Sequence, residues 1–592
     1  MSEVDQRPVT GTHDVVSLEG HGQFDVLVIG GGISGAWVAF YSALAGYKTA
    51  LIEAGDFGAE TSSASSKVLH GGIRYLQQLD FRKVRESTME RAHFMASAPH
   101  VAKPVDFLVP TFPQLAKSKL LLTCAMHVYE LLGWGQKKIL EPIGIEIPRR
   151  FPLNTEELNE KISLGHMNHT GAIAYPEFHI QDTERTVWSV LDSARASGAI
   201  IANYTPAREY IYKGKTITGV MAYSESLGKS VQIDARLVVN AAGPWVDRVN
   251  SSRTQLSTEA VPGSLKSYVP RFARGLHLVT RPLSYEVAVA LTTRQQSDSK
   301  IDRGGRHVFV IPWRGCSLIG TSYTELETLD HRDDNLERDI NQLIEIFNEL
   351  MPTERLTRDC VHWAYHGLYP LRELEGGDGV YRGTGEYVLT DNKTVDNIDG
   401  LITALGAKFT TGRVLGQKSL ELVNRKFGKG VPHDSLLKTR LGCSEYQSLD
   451  SFRQQMHEKY LHLLSEELID HLVTTYGSDM DNVMNFSQNG HFPVDPFKPV
   501  MHGQPDIYAQ IFWAVENELP RHLDDILLRR TSVGLLGITS EETRAVCSAV
   551  SGLLRWDDEA VEREIAIFED KRQFLKNTVE EFQAACASQV HK

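Results

Sequence analysis

The chain has 592 residues, 42% hydrophobic and 23% charged, with a net charge of −13: the make-up of a soluble globular protein with length for several domains. The acidic balance argues against nucleic-acid binding, which needs a basic face, and no apolar run reaches the ~18 residues of a spanning helix. Its six cysteines are scattered without a Cys-x-x-Cys pair, so no disulfide framework and no metal site is expected, and the thiols read as reduced in a cytoplasmic protein.

Met1 to Gln23 is polar and lacks the apolar core of a signal peptide; a disordered lead-in is expected for residues 1–23. Phe24–Ile29 is a short apolar run of the kind found in a buried parallel strand. Glycines follow, then a helical stretch from Ser34 to Ala45 and a second strand, Lys48–Ile52, which makes a βαβ unit. Thr61–Lys67 is rich in Ser and Thr, Arg82–Ala98 has helical spacing, and 99–161 is loop-rich. Within it, Leu120–Trp134 is apolar on one side and flanked by Lys117, Lys119, Lys137 and Lys138. A helix packed inside a substrate domain is the preferred reading; an amphipathic helix giving peripheral membrane contact is the alternative. Val231–Asn240 reads as a strand, and His307–Pro312 and Cys316–Thr321 as a hairpin turning at 313–315. From about Gly442 helical patterns dominate: 449–476, 505–530 and 540–584.

Gly30, Gly32 and Gly35 fit G-x-G-x-x-G. Alone the pattern is weak. Here it follows a strand, opens a helix, and has Glu53 at the end of the next strand, the context a dinucleotide site requires. Gly30 permits the tight turn, Gly32 admits a pyrophosphate, and Gly35 lets helix and strand pack closely. The diphosphate belongs on the helix N-terminus. Glu53 takes the ribose hydroxyls and would repel a 2′-phosphate. The motif leaves FAD and NAD undivided.

The segments beyond it divide them. Thr61-Ser62-Ser63-Ala64-Ser65-Ser66-Lys67 runs into His70-Gly71-Gly72-Ile73-Arg74-Tyr75-Leu76; further on come Asn240 to Trp245, Val308 to Trp313, Ile319 to Thr321, and Gly406 to Thr411 with Arg413. In their order these resemble the FAD-dependent glycerol-3-phosphate dehydrogenases, a family of D-amino-acid-oxidase-like flavoproteins, from about Phe24 to Phe582. The resemblance implies an α/β fold: a doubly wound, Rossmann-like FAD-binding domain over 24–438, interleaved with an α+β substrate domain (about 100–180 and 262–395), and a helical domain over 439–592. It implies FAD contacts from Gly30, Gly32, Ser34, Gly35, Glu53, Thr61, Ser62, Ser63, Ser66, Lys67, Gly71, Gly72, Gly243, Lys408 and Thr410. His277, Arg74 and Lys408 fall on catalytic positions, with Tyr75 and His277 at the substrate. Imidazole suits the proton-accepting role.

The same comparison shows two departures. The family binds a phosphate with arginines in segments like G-V-R-P and R-D-Y. Here Tyr369 stands in Gly367-Leu368-Tyr369-Pro370, and Gly385 precedes Glu386-Tyr387. Neither supplies a guanidinium fork for phosphate. Tyr369 and Arg382 are therefore expected at the substrate, with Arg372 and His366 nearby. The small-molecule substrate is a secondary alcohol, glycerol 3-phosphate or a related polyol, or else an unphosphorylated hydroxylated or amine compound; the electron acceptor is a quinone or oxygen. A flavin-binding module with altered catalysis is the reading from another class.

Overall fold

The computed structural model describes residues 18–162, 164, 168–251, 265–283, 286–293, 307–373, 381–383 and 385–573, apart from a few side chains, those of Arg74, Arg372 and Arg382 among them. Two sheets dominate. In the first, the strands Leu401–Leu405, Lys229–Asn240, Phe24–Ile29, Thr49–Ile52 and Ile200–Ala202 lie parallel in that order, with Val388–Asp391 antiparallel at one edge. Side chains along a strand alternate between faces, and the Phe24–Ile29 strand shows it. Val26 and Val28 enter one core with Trp37, Tyr41 and Trp188, from the helices Ile33–Leu44 and Thr183–Ala196. Leu27 and Ile29 enter another with Tyr210, Val220 and Ile233. That second face is covered by the antiparallel strands Ala207–Lys213 and Thr216–Ser224, which pair onto the start of Lys229–Asn240. The domain is Rossmann-like, but a β-layer replaces the second helical layer of a doubly wound sheet. Leu18, 2% exposed, joins this core. The end of the expected lead-in is therefore packed on the domain, while residues 1–17 lie outside the described set.

The second sheet, mostly antiparallel, runs from Tyr381–Arg382 through Val361–Glu373, Arg271–Thr280, Cys316–Gly320, His307–Trp313, Ala288–Thr292 and Ala102–Thr111 to Gly171–Ile180 and Val68–Leu69. The hairpin turns at Arg314 and Gly315, both at positive φ (48° and 72°), the backbone a two-residue hairpin favours. The last pairing, Val68 with His179 and Leu69 with Phe178, carries the chain straight from the Ser-rich segment into this sheet.

Beyond residue 439 the chain is helical, in shorter pieces than the periodicity suggests. The stretch 449–476 breaks into Leu449–Tyr460 and Glu466–Tyr476, where the Ser465 side chain caps the second helix through Leu468 N–H. The stretch 505–530 stops at Asn517, ahead of Leu519 (φ 57°) and Pro520, since a residue before proline avoids the helical region. It resumes at Leu523 and ends in a π-helical turn, Ile526–Arg530.

The helix Lys119–Leu132 meets its expectation on one side only. Leu122, Met126 and Tyr129 are buried against the second sheet. Leu115, Leu120, Leu131 and Trp134 stand out, each 72–79% exposed. Among the described residues no helix is long and apolar enough to cross a membrane.

Candidate active site

A cleft of about 960 Å³ separates the carboxyl ends of the parallel strands from the second sheet. At one end the strand Phe24–Ile29 gives way to Gly30 (φ 108°) and the helix beginning at Ile33. A Cβ at residue 35 would lie 1.9 Å from the Gly30 carbonyl oxygen. Glycine there lets the helix N-terminus sit directly over the strand end, with its positive pole toward the cleft. Ser62 Oγ accepts a hydrogen bond from Ile33 N–H (3.0 Å). Glu53 accepts from Gly31 N–H (2.6 Å) and Gly55 N–H (2.9 Å). Burial pushes its carboxyl up, and those two N–H groups oppose the shift. Arg208 and Arg248 line this end as well.

At the other end Ser66 Oγ lies 2.9 Å from His277 Nε2. The imidazole stacks on the Tyr365 ring, 5.3 Å between centroids, and the Tyr365 hydroxyl donates to the Ser65 carbonyl (2.8 Å). Burial, and after it the Lys67 charge, lowers His277 to about 3, so the ring is neutral over the working range. Opposite, Lys408 Nζ donates to Ser87 Oγ (3.0 Å) and lies 4.6 Å from the centre of the Tyr75 ring. Burial lowers its ammonium to about 8. Gly406 brings its backbone against Ser34 Oγ, 2.3 Å from where a Cβ would stand.

The cleft thus brings together Gly30, Gly32, Ser34, Glu53, Thr61, Ser62, Ser66, Gly72, Tyr75, Gly243, His277, Tyr369, Lys408 and Thr410. Four other expected residues are placed differently. Gly35 packs behind the turn. Ser63 Oγ donates to the Ala59 and Glu60 carbonyls (3.0 and 2.8 Å). Gly71 donates its N–H to Glu177 (2.9 Å), and a Cβ on it would strike the Tyr129 hydroxyl. Lys67 is fully buried: its Nζ lies 2.7 Å from Glu184 and 5.3 Å from the Trp313 ring centre. It holds the fold together and does not reach the cleft. The side chains of Arg74 and Arg382 lie outside the described residues; their backbones sit in the helix Ile73–Gln77 and in the strand pairing Arg382 with Arg372.

At the departures, Tyr369 faces the cleft with its ring 6.1 Å from that of Tyr323. His366 points elsewhere, to Asp333 (3.0 Å). Gly385 has φ 66°, and a Cβ there would lie 2.0 Å from the Tyr75 hydroxyl oxygen. Glycine at 385 is what admits the Tyr75 ring. Sequence reasoning missed Arg208, Arg248 and the apolar wall of Phe107, Tyr175, Phe309 and Ile311. Phe107 lies in the strand Ala102–Thr111, inside the stretch 99–161 expected to be loop-rich, and Tyr175 in the strand Gly171–Ile180, which no reading singled out; no spacing singled out the arginines.

The sequence profile of the family described as FAD dependent oxidoreductase matches residues 25–418, and that of the C-terminal domain of alpha-glycerophosphate oxidase matches 439–561. A glycerol-3-phosphate dehydrogenase of Synechocystis is 29% identical over 565 residues, 92% of this chain and 95% of the relative. An aerobic glycerol-3-phosphate dehydrogenase of Staphylococcus aureus is 27% identical over 518 residues, 86% of each. Among solved structures, the Bacillus halodurans glycerol-3-phosphate dehydrogenase complexed with FAD shares the fold. Its TM-score is 0.71 at 24% identity, covering 95% of this chain and 97% of that one.

Lys67 tests the assignment of structure against chemistry. Lys67→Met leaves Glu184 buried and unpaired, which costs about 3–5 kcal/mol. The melting temperature should fall, and adding Glu184→Leu should recover most of the loss. A Lys67→Met protein of unchanged melting temperature that no longer retains flavin would place Lys67 at the cofactor after all.

Proposed function

The chain belongs to the FAD-dependent oxidoreductase family, and from that premise we propose that it oxidises a secondary alcohol as an enzyme of the glycerol-3-phosphate dehydrogenase type. One observation carries the reading. A single cleft joins a glycine-lined nucleotide end to the Ser66–His277 pair and the Lys408 ammonium. The residues fit FAD: the close backbone at Gly32 and Gly406 leaves room that a Cβ would fill, and Glu53 supplies a carboxylate for ribose hydroxyls. Gly30, Gly32, Ser62 and Glu53 would hold the adenosine diphosphate with Arg208 and Arg248 beside it, and Ser34, Gly406 and Thr410 the flavin end. FAD supplies the hydride acceptor.

The substrate hydroxyl loses its proton to the Ser66 Oγ–His277 Nε2 pair. Neutral His277 takes the proton through the Ser66 hydroxyl, and as a weak base it passes the proton on to solvent. Lys408 sets positive charge against the developing alkoxide, while Phe107, Tyr175 and Phe309 exclude water. Lys408 is an ammonium below about pH 8. The rate of flavin reduction should therefore fall as pH rises through 8, with no inflection near 6.5. Lys408→Arg should remove the fall at 8, and His277→Asn should lower the rate ~10²-fold or more.

A second reading is favoured by Tyr369 and by the Tyr75 ring occupying the space over Gly385: an unphosphorylated polyol or an amine replaces glycerol 3-phosphate. Anaerobic mixing of the yellow enzyme with glycerol 3-phosphate, free polyols and amines decides. Bleaching by glycerol 3-phosphate alone supports the first reading, and bleaching by an unphosphorylated compound alone supports the second. A flavin that none of them bleaches sinks both and leaves a flavin-binding module. Reoxidation by quinone or by air then identifies the acceptor.

The exposed face of the helix Lys119–Leu132 with its flanks suits an anionic bilayer surface: Leu120 and Leu131 on the helix, and Leu115 and Trp134 beside it, stand close in sequence to Lys117, Lys119, Lys137 and Lys138. Its inner face carries Tyr129, whose hydroxyl donates to Glu177 at the cleft wall (2.9 Å), so a docked enzyme would bring the cleft near a membrane quinone. In sedimentation with phosphatidylglycerol-containing vesicles the wild type should pellet, and Leu120→Glu/Leu131→Glu should stay in solution. Equal partition of the two would overturn the docking face.

A further inference from the structure

We propose that Arg529 and Arg530 of the C-terminal helical domain are positioning residues for the FAD site, so that docking of that domain and binding of the cofactor reinforce one another. The link is Asp56. Its carboxylate is wholly buried, yet it stands on the loop that lines the nucleotide end of the cleft. Arg529 Nε reaches it at 2.5 Å, Arg530 Nη1 and Nη2 at 2.8 Å each, and Asn203 Nδ2 at 3.2 Å. Burial alone would raise the Asp56 carboxyl; Arg530 and Arg529 hold it well below the usual carboxylate range.

Consecutive residues of an α-helix point about 100° apart, so two neighbouring arginines do not ordinarily share one carboxylate. Here they lie in the π-helical turn Ile526–Arg530, a departure that recurs at functional sites. Both are held from within their own domain. Arg530 donates twice to the Glu518 carbonyl (2.8 and 3.1 Å), and Arg529 pairs with Asp525. The C-terminal domain therefore presents a rigid, doubly cationic fork.

On the other side Asp56 belongs to the loop that closes over the glycine turn. Glu53, three residues earlier, holds Gly31 N–H, and Gly58, two residues later, donates its N–H to the Gly31 carbonyl (3.1 Å). Between those ties Phe57 packs into the core beside Trp188, 6.1 Å between ring centres, and Asp56 is the loop's polar anchor, tied to a fork more than 470 residues away. A buried carboxylate without the fork, or a fork without the carboxylate, is strongly unfavourable, so loop and domain set together. By linkage, whatever stabilises the loop stabilises the docked domain equally.

The test is hydrogen–deuterium exchange of the wild-type enzyme with FAD bound and after FAD is stripped. Loss of FAD should raise exchange across 523–536 as well as across 53–61. Unchanged exchange at 523–536 would overturn the proposal. Reconstitution gives a second measure: FAD should bind Arg530→Gln at least about five-fold more weakly than wild type, with Arg530→Lys intermediate. A folded Arg530→Gln protein of wild-type FAD affinity would equally overturn it, and the exchange comparison decides if that variant does not fold.

Discussion

A buried ammonium–carboxylate pair pins the wall that both halves of the cleft share. Lys67 lies at the point where the Ser-rich segment leaves the parallel layer and enters the antiparallel sheet. Its Nζ is bound to Glu184, on a helix packed against the first sheet, and lies over Trp313, in a hairpin of the second. Its carbonyl accepts from Ile180 N–H (2.7 Å). Ser62, Ser65 and Ser66, upstream of that pin, inherit their positions from it. Ser66 could not meet His277 at 2.9 Å if the segment between the two sheets were free to slide. An ion pair buried this deeply tolerates no misplacement, because either partner left alone in the interior is far costlier than in water.

The nucleotide end of the site was legible in the sequence because its constraints are local. Gly30, Gly32, Gly35 and Glu53 fall within about two dozen residues, and each answers a steric or electrostatic requirement that spacing alone expresses. The surroundings of Lys67 were not legible, for the opposite reason. Within its own segment it is a cation among hydroxyls, which looks like an anion site, and the carboxylate that claims it is 117 residues away. The partners of Ser63 and Gly71 were hidden in the same way, since hydrogen-bonding potential shows in sequence while direction does not. The helical domain was legible in kind but not in length: periodicity carried through the breaks at Ser465 and Pro520, where a cap and a steric clash end helices whose apolar spacing continues. The β-layer over the second face left no mark, because strands covering a parallel sheet alternate like any others.

Chemically the site is uneven. His277 sits in an apolar, cationic environment that keeps it neutral, whereas Lys408 remains near enough to solvent to stay mostly charged at neutral pH. Buried neutral acceptor and half-buried cation face each other across one cleft, an arrangement that separates the taking of a proton from the stabilising of negative charge. The aromatic wall adjoining them is continuous with the inner face of the helix whose outer face is apolar. The protein's surface and its reaction space are therefore one helix apart.

The pairing of Gly385 with Tyr75 restricts what either position can become. A side chain at 385 meets the tyrosine hydroxyl at 2.0 Å, and its backbone, at φ 66°, is one that L-residues rarely adopt. An arginine placed at 385 by a single substitution would not build an anion site; it would collide with the Tyr75 ring. The two positions are interlocked, so a guanidinium can enter at 385 only together with a smaller residue at 75 and a change of backbone: the specificity of this corner is a property of the pair and not of either residue.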